Sequence, residues 1–80
     1  MQAEQIKALI EAGLPDCEAH VDGDGRHWDA VVISPVFAGK SMLQQHRQVY
    51  AALGDSFDTE AVHALSLRTL TPDQWQASNS

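Results

Sequence analysis

Apolar residues recur at helical spacing at the start of the chain. Ile6, Leu9 and Ile10 fall on one stripe of an α-helix over residues 2–12. Gly13 follows as a helix stop, since glycine readily adopts the conformation that ends a helix. The pattern therefore predicts an amphipathic first helix.

Polar and apolar side chains then alternate, which is typical of half-buried strands. Residues 16–22 form one such segment and residues 27–33 a second. The glycine-rich residues 23–26 between them predict a turn. The three segments together predict a β-hairpin.

A four-residue turn makes Asp22 face His27 and His20 face Asp29 across this hairpin. The face toward the core then carries Cys17, Ala19, Val21, Trp28, Ala30 and Val32. The opposite, wet face carries Glu18, His20, His27 and Asp29. A slip of one residue would exchange the two faces, so the assignment depends on the turn.

The residue pattern in the second half of the chain predicts two or three helices and one strand. Residues 41–53 have the pattern of an amphipathic helix capped by Gly54, and 55–61 that of a short helix or turn. The apolar stripe of the longer helix comprises Met42, Leu43, His46, Val49, Tyr50 and Leu53. A third strand is predicted over 62–69, with Leu65 and Leu67 on one side. Residues 71–74 then form a capping box for a last short helix around Trp75.

The predicted order is α-β-β-α-α-β-α, in one domain over residues 1–76 with a frayed tail at 77–80. A crossover through helices makes the second and third strands parallel if they share a sheet. A hairpin plus a parallel third strand, packed with helices, is a three-stranded mixed sheet of the α+β class.

The composition of the chain narrows the classes of function that it can have. Eleven acidic and five basic residues give a net charge of −6, which disfavours general nucleic-acid binding. The only local basic cluster is Lys40, His46 and Arg47. No apolar run is long enough to span a membrane, no signal peptide is apparent, and a single cysteine fits a reducing compartment, so we expect a cytoplasmic protein.

Two histidines stand at equivalent places in the predicted sheet. His27 opens the second strand and His63 lies at the start of the third. Parallel neighbouring strands start at the same edge about 5 Å apart, so both imidazoles are expected there. Imidazole binds iron, copper, nickel and zinc, but two ligands do not complete a structural site. Strand alternation points the two rings to opposite faces, and His20 near His27 is a less favoured alternative.

The sequence disfavours a reactive cysteine, a phosphate-binding loop and a serine nucleophile. Cys17 is expected as a small core residue rather than a ligand or redox thiol. Gly39-Lys40-Ser41 resembles the end of a phosphate-binding loop, but Ser34 stands where that pattern requires glycine. No serine has the context of a nucleophile elbow, so we expect no enzymatic activity.

Four segments of the chain resemble sequences of the BolA family, in its IbaG-like bacterial branch, and they follow the order that they have in that family. They are Phe37-Ala38-Gly39-Lys40-Ser41 with His46-Arg47-Gln48-Val49-Tyr50, Val62-His63-Ala64-Leu65-Ser66-Leu67, Thr71-Pro72-Asp73-Gln74-Trp75, and the hairpin from His20 to His27. The resemblance covers residues 2–76 and implies a fold like the second class of KH domains.

The resemblance also implies a function and a site. It implies a monothiol glutaredoxin with glutathione as partner, and a shared [2Fe–2S] cluster ligated on this side by His63 and His27. No cofactor is expected in the isolated protein, which would be a monomer or weak homodimer.

The same family has a second reported role, in DNA-binding transcriptional regulation. Its contacts here would be Lys40, His46, Arg47 and Arg68. The GXXG loop with which KH domains clamp nucleic acid is absent, because the helix junction reads Leu53-Gly54-Asp55-Ser56-Phe57.

Overall fold

The computed structural model describes residues 2–24, 26–54 and 64–78. Its elements are α1 (Ala3–Gly13), β1 (Glu18–Gly23), β2 (Trp28–Ile33), a 3₁₀ turn (Pro35–Phe37), α2 (Met42–Leu53), β3 (Leu65–Leu70) and α3 (Pro72–Ser78). The predicted short helix or turn at 55–61 and the first two residues of the predicted third strand lie outside the described residues. Because α3 continues through Ser78, Ala77 and Ser78 belong to a helix rather than to the frayed tail expected there.

The three strands form one mixed sheet in the order β1-β2-β3. β1 pairs with β2 antiparallel, and β2 pairs with β3 parallel, from Trp28 opposite Leu65 to Ile33 opposite Leu70. The α+β fold with a three-stranded mixed sheet, predicted from the crossover, is confirmed.

The hairpin register differs from the predicted one by two residues. Asp22 pairs with Asp29 rather than with His27, so β1 continues to Gly23 and β2 begins only at Trp28. The turn begins late because the Asp24 side chain accepts backbone hydrogen bonds from within it. A shift of two residues leaves every side chain on its original face, because the strand period is two.

The core lies between one face of the sheet and the helices α1 and α2. The predicted inner face of the hairpin is confirmed, since Ala19, Trp28, Ala30 and Val32 are buried and Val21 packs against them. The helices and turn contribute Ile6, Ile10, Leu14, Phe37, Val49 and Leu53, and β3 contributes Leu65. Cys17 is half-buried against this core.

The outer face of the sheet is not wholly wet, contrary to the prediction. The Trp75 ring of α3 stacks on the His20 ring with 5.3 Å between centroids. Ile33 and Leu70 are buried although they lie outside the main core cluster. Ile33 lines a cavity together with Pro72 and Trp75, so α3 covers the carboxyl-terminal end of this face.

The apolar stripe predicted for α2 is only partly used by the core. Val49 and Leu53 are buried, but Met42 is 71% and Leu43 61% exposed. The helix packs on α1 and β3, and the residues that it contributes to the hydrophobic core lie in its later turns: Val49, Tyr50, Ala52 and Leu53. Among the described residues, no helix is both long and apolar enough to cross a bilayer.

A pair of charged side chains on α1 satisfies the free edge of β1. Glu11 Oε2 accepts a hydrogen bond from the Ala19 backbone N–H at 3.0 Å, and Lys7 Nζ donates to the Ala19 carbonyl at 2.7 Å. Lys7 and Glu11 also contact each other at 3.0 Å. Unpaired backbone groups on an edge strand invite pairing with other chains, so this pair both docks α1 and blocks the edge. The hydrogen bonds from Ala19 and Lys7 lower the pKa of Glu11.

We predict that Glu11→Gln lowers the free energy of unfolding by about 1 kcal/mol at neutral pH, because a charge-assisted hydrogen bond becomes a neutral one. A carboxyl group with a lowered folded pKa stabilises the fold above its unfolded pKa and loses that contribution as the pH falls through the folded value. The difference between the two proteins should therefore shrink as the pH falls below the ordinary pKa of glutamate, and vanish once the pH lies below the lowered pKa of the folded state. Urea unfolding across pH measures it.

Glu4→Gln is the matched control, since Glu4 is exposed on the same helix and no hydrogen bond to its side chain is seen among the described residues. An equal loss of stability in both variants at pH 7 would contradict the role of Glu11.

Candidate metal-binding edge of the sheet

The amino-terminal ends of β2 and β3 meet at one edge of the sheet. The Trp28 backbone N–H donates a hydrogen bond to the Ala64 carbonyl at 3.0 Å. His27 directly precedes Trp28 in the sequence, and His63 directly precedes Ala64. His63 lies outside the described residues, so the structure describes one of the two predicted ligands and the backbone beside the other.

The hairpin turn holds the backbone of His27 in place. Asp24 Oδ1 accepts hydrogen bonds from the backbone N–H of Arg26 at 2.9 Å and of His27 at 3.0 Å. The Asp24 N–H in turn donates to the His27 carbonyl at 3.2 Å. These backbone hydrogen bonds, first that from His27, lower the pKa of Asp24. His27 therefore belongs to an anchored turn, whereas sequence reasoning placed it in the strand.

The His27 side chain is exposed at the wall of an open depression. The other walls are Asp22, Gly23, Asp24 and Asp29. No hydrogen bond to the imidazole is seen from any residue that the structure describes, so both ring nitrogens are accessible there. Three carboxylates make the surroundings of this ring strongly acidic.

Gly23 lets the turn approach β2 closely. A Cβ built on Gly23 would lie 2.4 Å from the His27 carbonyl oxygen and 3.0 Å from the Trp28 Cα. Both neighbours are backbone atoms, which shift only at a cost in stability. Sequence reasoning used this glycine for its turn conformation and missed the contact, which only the observed register creates.

The less favoured candidate, His20, is already engaged. Its ring stacks on Trp75, and its Nε2 lies 3.4 Å from Glu18 Oε1. It faces Val31 in the middle of the sheet rather than the turn. Among the residues described, no group of three or more His, Cys, Asp or Glu side chains has the arrangement of a complete metal site.

Cys17 has the environment of a packed thiol. Burial, reinforced by the negative charge of Glu11, raises its pKa to about 11. The thiol is thus protonated at neutral pH, whereas metal ligands and nucleophiles require the thiolate. This agrees with the expectation of a small core residue.

The predicted nucleic-acid contacts do not form one surface. Lys40 and Arg47 line the same shallow groove beside α2. His46 is half-buried on that helix. Arg68 lies between the inward-facing positions Leu67 and Thr69 and therefore points to the opposite face of the sheet.

The fold and the sequence together define a class of protein. A family model described as BolA-like protein matches residues 5–74, and the chain belongs to this family. The structure of a bolA protein homologue from Coxiella burnetii superimposes with a TM-score of 0.83 at 43% identity, covering 95% of this chain and 97% of that one.

Two curated relatives carry functional names. The acid stress protein IbaG of Escherichia coli is 29% identical over 75 residues, covering 94% of this chain and 89% of IbaG. The DNA-binding transcriptional regulator BolA of the same organism is 37% identical over 54 residues, covering 68% of this chain and half of that protein. The resemblance to the BolA family with an IbaG-like branch is thereby confirmed.

We predict that Gly23→Ala displaces the His27 backbone and destabilises the hairpin by about 1–3 kcal/mol, because the added methyl group overlaps backbone atoms. Thermal unfolding measures the stability, and the ¹⁵N–¹H resonance of His27 reports the displacement.

The control is Gly39→Ala, where φ is +73° but an added Cβ meets nothing within 4 Å. Strain should lower the stability of this variant while leaving the His27 resonance in place. A His27 resonance that moves equally in both variants would contradict the steric explanation.

Proposed function

We propose that this protein is a non-enzymatic partner of a monothiol glutaredoxin, and that it co-ligates a glutathione-containing [2Fe–2S] cluster through His27 and His63. The function is cluster assembly or trafficking, or iron and stress regulation, in the cytoplasm. The observation that carries the proposal is the Trp28–Ala64 hydrogen bond, because the two histidines are the residues that precede its donor and acceptor in the chain.

The geometry of the turn supports His27 as a ligand. Its backbone N–H and carbonyl are both hydrogen-bonded to Asp24, so little backbone conformational freedom is lost when the side chain binds. Its imidazole is exposed, as a ligand shared with another protein must be. The anchored turn thus gives the His27 backbone a defined position.

The donor chemistry fits an iron–sulfur cluster. Neutral imidazole is a good ligand for iron, and histidine replaces cysteine on one iron of some [2Fe–2S] centres. On this proposal His27 and His63 supply two ligands, and a glutaredoxin cysteine with the glutathione thiolate supplies the others. When bound, the cluster supplies one-electron redox chemistry at a potential raised by the histidine ligands.

The family supports a partner role. The chain has the BolA-like domain over almost its whole length, and the stress role named for the E. coli relative IbaG is consistent with a regulatory partner. The raised pKa of the half-buried Cys17 thiol supports histidine rather than cysteine as the ligand on this chain.

We predict that His27→Ala and His63→Ala each abolish the change that this protein makes in the visible absorption and circular dichroism spectra of a glutathione-loaded monothiol glutaredoxin. Removing a ligand should also weaken cluster retention by at least about tenfold. Co-purification of the two proteins under anaerobic conditions, followed by spectroscopy and iron determination, measures both effects.

His20→Ala is the matched control, since His20 is the alternative ligand and lies on the same hairpin. Its spectrum should equal that of the unchanged protein. A mixed spectrum identical to that of glutaredoxin alone, or one that His27→Ala and His63→Ala leave unchanged, would remove the ligand assignment.

A second candidate function is DNA-binding regulation. It is favoured by the exposure of Lys40 and Arg47 along one groove, with no ion pair to either among the described residues. The relative named a DNA-binding transcriptional regulator matches over 68% of this chain. The net charge of −6 and the separation of Arg68 from the groove disfavour it.

If DNA is bound through this groove, two phosphate contacts predict that the affinity falls with salt at a logarithmic slope of about −2. Lys40→Glu and Arg47→Glu should each weaken binding, whereas Arg26→Glu in the hairpin should have little effect. Mobility-shift titrations at several salt concentrations measure this, and binding that is absent or insensitive to salt excludes the candidate.

A further inference from the structure

The charges of this chain are unevenly distributed. All eleven acidic residues lie before residue 30 or after residue 54, so residues 30–54 contain no carboxylate side chain. Lys40 and Arg47 lie in this segment, and no ion pair to either is seen in the part of the chain that the structure describes. An acidic protein thus has a long described segment, residues 30–54, whose formal charges are all positive.

The same segment carries the exposed large apolar side chains of the described residues, Met42 and Leu43. Arg47 lies one helical turn from Leu43, at i+4, and is also the i+3 neighbour of Gln44. Lys40 lines the same groove as Gln44 and Arg47. We call Lys40, Met42, Leu43, Gln44 and Arg47 the α2 surface.

The backbone under the α2 surface is held firmly. Ser41 and Gln44 form a capping box, in which the Ser41 hydroxyl accepts from the Gln44 N–H and Gln44 Oε1 accepts from the Ser41 N–H. Gln45 Nε2 donates to the carbonyls of Phe37 and Lys40, each at 3.0 Å.

Gln45 also ties this segment to the sheet. Its Oε1 accepts a hydrogen bond from the Thr69 hydroxyl of β3 at 2.5 Å. The exposed apolar side chains are therefore presented on a fixed backbone, and a preorganised surface has less ordering cost to overcome on binding.

We propose that the α2 surface docks an amphipathic acidic segment of a partner protein, with carboxylates facing Lys40 and Arg47 and apolar side chains covering Met42 and Leu43. Complementary charge steers and orients such an encounter, and the apolar pair supplies the area that is removed from water. The proposal goes beyond the cluster-binding function and does not require it.

Other occupants match the α2 surface less well. A phosphodiester backbone complements the two cations but leaves Met42 and Leu43 without an apolar counterpart. A second copy of this chain also carries a net charge of −6, which opposes the approach of two copies at long range. A protein segment with both carboxylate and apolar side chains complements every member of the surface.

The α2 surface and the His27 edge lie at opposite ends of the sheet. Gln45 contacts Thr69 near the carboxyl end of β3, whereas His27 precedes the amino end of the parallel strand β2. Six-residue strands separate these ends by roughly 17–20 Å. Partners can therefore bind the α2 surface and the His27 edge at the same time, and binding at one of them can be lost without loss at the other.

The test uses the full chain labelled with ¹⁵N and a synthetic helical peptide with leucines at i, i+3, i+4 and i+7 and glutamates elsewhere. We expect amide shifts confined to residues 40–48 and a dissociation constant below about 1 mM. Arg47→Glu and Leu43→Ser should each weaken binding about tenfold, as central interface positions do. A peptide with glutamine in place of glutamate should not bind.

Arg68→Glu is the matched control, because it makes the same change in charge on the opposite face of the sheet and should leave the affinity unchanged. No shifts at residues 40–48, or a loss on Arg47→Glu without a loss on Leu43→Ser, would overturn the proposal. Tighter binding of duplex DNA or of phosphatidylglycerol vesicles at the same residues, or dimerisation through them in sedimentation equilibrium, would assign the surface to another occupant and equally overturn it.

Discussion

The parallel pairing of β2 with β3 is the constraint on which the rest of the structure depends. Parallel neighbours cannot be joined by a tight turn, so the chain between them must cross over the sheet. That crossover carries α2 onto the inner face, where Val49 and Leu53 complete the core. The same pairing brings the chain next to His27 and the chain next to His63 together through the Trp28–Ala64 hydrogen bond. The core and the candidate site thus both depend on the parallel pairing of β2 with β3.

A three-stranded sheet in so short a chain also needs its remaining surfaces covered. Lys7 and Glu11 satisfy the Ala19 backbone on the free edge of β1. On the outer face, Trp75 stacks on His20 and shields Ile33. A small domain buries a limited fraction of its surface, so such local contacts contribute a larger share of its stability than in a larger protein.

Periodicity predicted the elements well and their extents less well. The inner face of the hairpin was predictable because alternation survives a two-residue shift, but the register was not, because the Asp24 side chain decides where the turn begins. The predicted stripe of α2 includes Val49 and Leu53, which are buried, and also Met42 and Leu43, which are exposed. A stripe shows which side of a helix is apolar, and only the packed neighbours show how far along the helix the core extends. For the site, the parallel order of the second and third strands predicted the sheet edge at which His27 lies. The carboxylates that surround His27 could be recognised only from the folded turn.

These surroundings constrain any partner that approaches His27. Asp22, Asp24 and Asp29 line the depression beside the imidazole, so this end of the molecule is strongly negative. A cluster with thiolate ligands is itself anionic, and its burial beside carboxylates is unfavourable unless positive charge compensates. On the proposed function, the partner must therefore bring cationic side chains to the hairpin end, whereas the α2 surface requires carboxylates. The two ends have opposite charge requirements, so electrostatic steering alone directs one partner surface to each end.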